Sequence, residues 1–159
     1  MKKKYWVIVI CLLILFDQLT KWLVVKYIDL NSSLVIIKNF FKLCYIKNTG
    51  ISFGLLSNQG IIIILLSVLI IGYMIYEFIK TNNKCGIISS SLIISGALGN
   101  LIDRLFRGYV VDFFSFTIFK KEMAIFNVAD SFITIGVIIY IIVLFMEGKN
   151  ERIKSKKWR

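Results

Sequence analysis

The 159-residue sequence contains no histidine and no proline. Without histidine there is no Ser-His or Cys-His pair to activate a nucleophile, and no HExxH helix to hold zinc. Cysteine is scarce. Cys11, Cys44 and Cys85 are odd in number and lack CxxC spacing, so neither a disulfide framework nor a thiolate metal site is indicated. All three read as small apolar residues. Acidic residues are also few, nine Asp and Glu against twenty Lys and Arg, for a net charge of +11. An excess of that size can serve nucleic acid. In a membrane protein it reads instead as topology signals and contact with anionic lipid headgroups, so no nucleic-acid partner is expected.

What the chain has in quantity is apolar sequence in long blocks, 58% hydrophobic overall with mean hydropathy +0.80. The expected fold is therefore an all-α membrane protein, one integral domain over 1–159 with four spanning helices near 5–27, 59–78, 86–106 and 127–146. The first block resembles a secretory signal, three lysines followed by an apolar run. It continues to Tyr27, however, which is spanning length, and Ile10 stands before Cys11 where a lipoprotein signal needs a small residue. Between the first two spans, Leu34 to Ile37 and Phe40 to Ile46 are rich in branched and aromatic residues interrupted by lysines, and read as short strands at the membrane surface. The run Lys47-Asn48-Thr49-Gly50-Ile51-Ser52-Phe53-Gly54 reads as a turn-rich loop that can bring backbone close to a ligand. The second span has no interior charge and reads as scaffold. In the third, Ser91, Ser95 and Gly99 recur every four residues, a small-residue face for close helix packing. Val110 to Phe119 is β-prone, Lys120 to Glu122 a polar tip, and Lys149 to Arg159 a solvated basic tail without structure.

Four spans put both termini on one side of the membrane. That side collects eleven of the twenty basic residues, which places the termini, and the tail 147–159, in the cytoplasm. Segments 28–58 and 107–126 are then extracytoplasmic. Asp17 lies about 18 Å along the first helix, past the bilayer centre, and can pair with Lys21 four residues on. Asn100, Asp103, Arg104 and Arg107 share one face near the outer end of the third helix, and Asn127 and Asp130 open the fourth. The unusual polar groups thus converge on the outer leaflet.

With no histidine, the reactive groups available there are carboxylates. Asp17 and Asp103 each have a base one or four residues away and read as partners of Lys21 and Arg104. Asp112 and Asp130 have none. Two close carboxylates in a poorly solvated site share a proton, and such a pair can activate water and protonate a leaving amine. On the residues alone, a solvated loop residue at 112 and a first-turn helix carboxylate at 130 account for them equally well.

The motif blocks carry more. Asp17-Gln18-Leu19-Thr20-Lys21, Asn48 to Phe53, Gly99-Asn100-Leu101-Ile102-Asp103-Arg104, Val111-Asp112-Phe113 and Phe126 to Ser131 occur in order, and by them the sequence resembles the lipoprotein signal peptidase (signal peptidase II) family over nearly its whole length. The resemblance implies four transmembrane helices with a small extracytoplasmic β-cradle. It implies an aspartic endopeptidase that removes the signal peptide of bacterial prolipoproteins on the N-terminal side of a diacylglyceryl-modified cysteine. Asp112 and Asp130 match the catalytic positions. Asp17, Lys21, Asn48, Gly50, Asn100, Asp103, Arg104 and Asn127 fall in blocks that bind substrate or support the site. No metal or cofactor is implied. The partners are lipid-modified prolipoproteins and membrane lipids, the location is the bacterial cell membrane, and a monomer is expected. A proton-coupled transporter would want polar groups through the full thickness, or an internal repeat, and the sequence has neither. A purely structural subunit would leave Asp112 and Asp130 unexplained.

Overall fold

A computed structural model describes residues 3–50 and 59–157. The Ile51 to Gly54 part of the turn-rich loop, Lys2 and the last two residues lie outside them. The elements follow the chain as α1 (Lys3–Tyr27), β1 (Ser33–Ile37), β2 (Phe41–Asn48), α2 (Gly60–Lys80), α3 (Lys84–Arg107), β3 (Val110–Ile118), β4 (Lys121–Glu122) and α4 (Val128–Lys157). Each helix contains a stretch long and apolar enough to cross a membrane. The chain is a mostly helical multi-pass membrane protein with a small antiparallel sheet.

The spanning helices are not equivalent. Two thirds (67%) of α3's apolar window is buried, against 22% for each of the others, so α3 is the post around which α1, α2 and α4 pack. Its sequence explains this. Ser89, Ser90, Ser91 and Ser95 are buried, and each hydroxyl donates to a carbonyl one turn back in α3 itself. The serines are polar groups already satisfied, and their small volume lets neighbours come close.

At Gly99, α3 lies close against α1. A Cβ there would stand 2.5 Å from Asp17 Oδ2 and 3.4 Å from the Ala129 Cβ of α4. Gly99→Ala is therefore expected to force α1 away from α3 and destabilise the protein by about 1–3 kcal/mol. A thermal unfolding midpoint in detergent equal to the parent's would refute this. α3 ends at Gly108, whose φ of 79° supplies the left-handed cap, with its N–H donating to Arg104 O.

The basic tail departs from expectation. Lys149 to Arg159 reads from sequence as unstructured, but α4 continues as helix to Lys157. Glu151, Arg152 and the lysines are good helix formers by residue type.

The sheet is a meander in the order β1-β2-β3-β4. The pairing of β2 with β3 runs Leu43↔Phe114 and then Ile46↔Asp112. Three steps on β2 match two on β3, which is a β-bulge at Cys44 and Tyr45. Both residues are buried, side by side in a strand that would otherwise alternate. Tyr45, Val111 and Phe113 form one core with Val24 of α1 and Val128 of α4, which seats the base of the sheet on the ends of two helices. The polar tip expected at 120–122 is the end of a hairpin, with the turn at Phe119 and Lys120 followed by the two residues of β4.

Candidate active site

The seating of the sheet delivers Asp112 to the mouth of the bundle. Its side chain is 3% exposed, and two amides hold it. Asn48, at the end of β2, donates Nδ2 to Asp112 Oδ2 at 2.7 Å. Asn127 donates Nδ2 to Asp112 Oδ1, also at 2.7 Å. Asn48 is itself fixed, because its Oδ1 accepts from Gly50 N at 2.9 Å.

Asn127 precedes the first residue of α4 and serves as its N-cap. Its Oδ1 accepts from Asp130 N at 3.0 Å, and Asp130 Oδ2 accepts from Asn127 N at 3.1 Å. This is a reciprocal capping box with aspartate in the reaching position. The second oxygen, Asp130 Oδ1, accepts from Asn100 Nδ2 at 2.8 Å. Asn127 therefore touches both carboxylates.

The amide orientations are set by an ion cluster behind them. Lys21 is fully buried, and its ammonium donates to Asn100 Oδ1 at 2.9 Å. It pairs with Asp17 Oδ2 at 2.9 Å and Asp103 Oδ2 at 3.2 Å. An ammonium can only donate, so Asn100 must turn its oxygen to Lys21 and its N–H to Asp130. Asp17 Oδ1 accepts from Ala129 N at 2.9 Å, and Asp103 Oδ2 from Val111 N at 3.1 Å. The cluster thus ties α1, α3, β3 and the first turn of α4 together, one layer behind the two aspartates. Gln18 adds hydrogen bonds to Asp17 and to Gly99 O.

The pairing of Asp103 differs from the sequence expectation. Its partners are Lys21 and Arg107, the latter at 2.7 Å, and not Arg104. Neighbours in a helix do not face each other, whereas residues four apart do. Arg104 is thereby left for the cavity, on the side of the helix that carries Asn100. It donates to Gly50 O at 3.0 Å and lines the same cavity as Asp112 and Asp130.

That cavity measures about 640 Å³. Asn48, Asn100, Arg104, Asp112 and Asp130 give it a polar end. Ile63 and Ser67 of α2, Ala97 of α3, and Ile133 and Thr134 of α4 continue it between the helices. Sequence reasoning missed the α2 contribution. Ser67 was its one visible signal, a hydroxyl in an otherwise aliphatic stretch. It donates to Ile63 O at 2.8 Å, so it widens the groove more than it polarises it. Ser131 and Phe126 also line the cavity and were not singled out as site residues.

Burial pushes the Asp112 carboxyl up to about 6, and the neighbouring charge of Asp130 adds to the rise. The hydrogen bonds from Asn48 and Asn127 pull the other way. A carboxyl poised near neutrality, next to a second carboxylate, can exchange protons with water and substrate at working pH. Among the described residues, no group of three or more His, Cys, Asp or Glu is arranged to hold a metal ion. Cys44 is buried, and burial raises its thiol pKa. Its Sγ donates to Phe113 O at 3.6 Å, and among the described residues Cys44 is not one of those that line the cavity.

Comparison with known proteins gives a consistent picture. The family model described as signal peptidase (SPase) II matches residues 9–146. The sequence is 40% identical over 143 residues to a lipoprotein signal peptidase of Caldanaerobacter subterraneus subsp. tengcongensis, covering 89% of this chain and 97% of that one. It is 35% identical to a lipoprotein signal peptidase of Staphylococcus aureus, covering 99% of this chain and all of the relative. A bacterial membrane enzyme solved by the in meso method superposes with a TM-score of 0.85 at 33% identity, over 94% of this chain and 93% of that one.

Proposed function

Since the chain belongs to the signal peptidase II family, we propose that it cleaves bacterial prolipoproteins by an aspartic mechanism, with Asp112 and Asp130 as the catalytic pair. The carrying observation is that one residue, Asn127, hydrogen-bonds both carboxylates at the polar end of a single cavity. Asp130 has both oxygens engaged by N–H donors and sits in the first turn of α4, where the helix dipole favours negative charge. It is the base. Asp112, whose burial favours the neutral form, is the acid.

Asp130 takes a proton from water as the water oxygen bonds to the scissile carbonyl carbon, and Asp112 gives its proton to the carbonyl oxygen. On collapse the C–N bond breaks. The proton on Asp130 passes to the leaving amine of the cysteine, and Asp112 recovers its own from the hydroxyl. Arg104, positioned by Gly50 O, supplies a cation beside the developing oxyanion.

The substrate is a signal peptide followed by a diacylglyceryl-modified cysteine, cut on the N-terminal side of that cysteine. The apolar groove between α2, α3 and α4 suits a peptide that enters sideways from the bilayer. Both termini face the cytoplasm and the aspartates face the outer leaflet. One copy suffices, because the pair and all its supporting amides come from one chain. The test is purified protein with a diacylglyceryl prolipoprotein peptide, scored for release of the signal segment, beside the same peptide without lipid. Cleavage of the lipidated peptide alone is expected. Equal cleavage of both would remove the lipid requirement, and cleavage of neither would remove the reading.

The pH profile follows from the same geometry. Below its pKa of about 6 Asp112 keeps its proton, so the basic limb of kcat/KM, which reports the free enzyme, is expected near pH 6. The limb of kcat should lie higher, because bound substrate excludes water and favours the neutral acid further. Asn48 donates to Asp112 and so favours the ionised form. Asn48→Ala should therefore move the basic limb upward. A downward shift would contradict the assignment of Asp112 as the acid.

A further inference from the structure

The far end of the sheet has no part in the site. Beyond Ser115, β3 contributes to none of the described cores, and β1 is exposed along its whole length, on both faces. Leu34 to Ile37 are each at least half exposed, and Phe119 is 95% exposed. A strand with an apolar surface on both sides is an aggregation hazard in water. In a bilayer interface it is not. The two hairpin turns stand side by side, joined by Thr117 N donating to Phe40 O at 2.8 Å.

The β3–β4 turn is unusual in its residues. Phe119 and Lys120 take φ of 50° and 61°, a left-handed pair that Asn-Gly would adopt without strain. The turn nonetheless presents a phenyl ring outward. The charge there is positive in balance. Lys38, Lys120 and Lys121 lie at the two turns, and the nearby Glu122 is held by Lys42 at 2.6 Å.

We propose that this pair of hairpin tips is a second membrane contact, separate from the spanning helices. Phe119 and the β1 side chains enter the outer leaflet, and Lys38, Lys120 and Lys121 bind anionic phospholipid headgroups. The base of the sheet sits on the helix ends at Val24 and Val128. The strands then run on for about five residues, roughly 17 Å, to tips whose residues belong to none of the described cores. An apolar tip ringed by lysines at that position matches an anionic bilayer surface in both polarity and charge. The contact does not depend on which residues perform the cleavage.

The test places a nitroxide at Phe119→Cys in a chain carrying Cys11→Ala, Cys44→Ala and Cys85→Ala. The label's apolar ring takes the place of the phenyl. The protein is reconstituted in phosphatidylcholine vesicles with and without phosphatidylglycerol, and collision of the label with oxygen is compared with collision with a water-soluble nickel chelate. Oxygen is expected to dominate in phosphatidylglycerol. The ratio should move about threefold or more towards the chelate in phosphatidylcholine or at high salt. Lys38→Gln, Lys120→Gln and Lys121→Gln together should abolish that lipid dependence and leave the unfolding midpoint in neutral detergent unchanged. A label open to the chelate in both lipids would overturn the proposal. So would a depth indifferent to lipid charge, or a label shielded from both reagents, which would show that a second copy covers the tip.

Discussion

Asp112→Asn and Asp130→Asn are each expected to reduce cleavage by about a hundred- to ten-thousand-fold, the range over which a positioned acid or base acts. The double variant should be little worse than either single one, because in the proposed mechanism each step needs Asp130 to take or give a proton while Asp112 does the opposite, so that the pair fails as a unit. Both variants should remain folded. At position 112, asparagine removes a buried charge, which favours the fold. Asn48 and Asn127, however, both present N–H groups there and cannot turn round, since their oxygens are held by Gly50 N and Asp130 N. One of the two then faces another N–H, and the gain and loss roughly offset. At position 130, asparagine keeps one acceptor for the two donors. A folded Asp112→Asn protein that cleaves near the parental rate would end the aspartic reading.

Lys21→Met should act through stability first. It leaves Asp17 and Asp103 buried with their shared ammonium gone, and breaking a buried ion pair from one side costs about 3–5 kcal/mol. Whatever fraction folds should also cleave less, because the Asn100 oxygen loses its 2.9 Å bond from Lys21 and keeps the longer one from Asn127 Nδ2 at 3.3 Å, which loosens the amide that donates to Asp130. Lys21→Arg should not rescue either property. The space is fully enclosed, and a planar fork cannot reach three acceptors placed for a tetrahedral ammonium. The measurements are yield and unfolding midpoint in detergent, with activity per folded molecule. A Lys21→Met protein of parental stability would mean that the cluster is not the tie between helices described above.

What the sequence made legible follows the range of the interactions. The four spans are visible because bilayer thickness imposes a length on apolar runs. The Asp17–Lys21 pair is visible because helical neighbours four apart must meet. The strands at 33–37, 41–48 and 110–118 show in their branched and aromatic residues. Asp103 was assigned to Arg104 from adjacency alone, while its true partners include a lysine 82 positions earlier, in another helix. No local pattern reports such a contact. The groove wall from Ile63 and Ser67 had almost no signal, because an aliphatic residue facing a cavity and one facing lipid look the same in sequence. The helical tail is not legible because it has no apolar face to mark its period, although charged residues can sustain a helix. Asn127 stood out as a polar residue opening a helix. That its side chain would reach the strand carrying Asp112 depended on tertiary placement.

The extra residue in β2 reaches further than a local kink. Strand side chains keep a two-step rhythm, and the bulge at Cys44 and Tyr45 shifts that rhythm by half a cycle. Before it, Leu43 shares a side with Phe114; after it, Ile46 and Asn48 share a side with Asp112. Paired regularly from Leu43↔Phe114 onward at its present length, without the bulge, the strand would set Tyr45 opposite Asp112, bring Lys47 to the aspartate's side and turn Asn48 away. The residue that the bulge absorbs is thus what keeps Asn48 beside the aspartate: a one-residue deletion confined to Cys44 or Tyr45 would leave that pairing in place, whereas straightening the strand at its present length would break it.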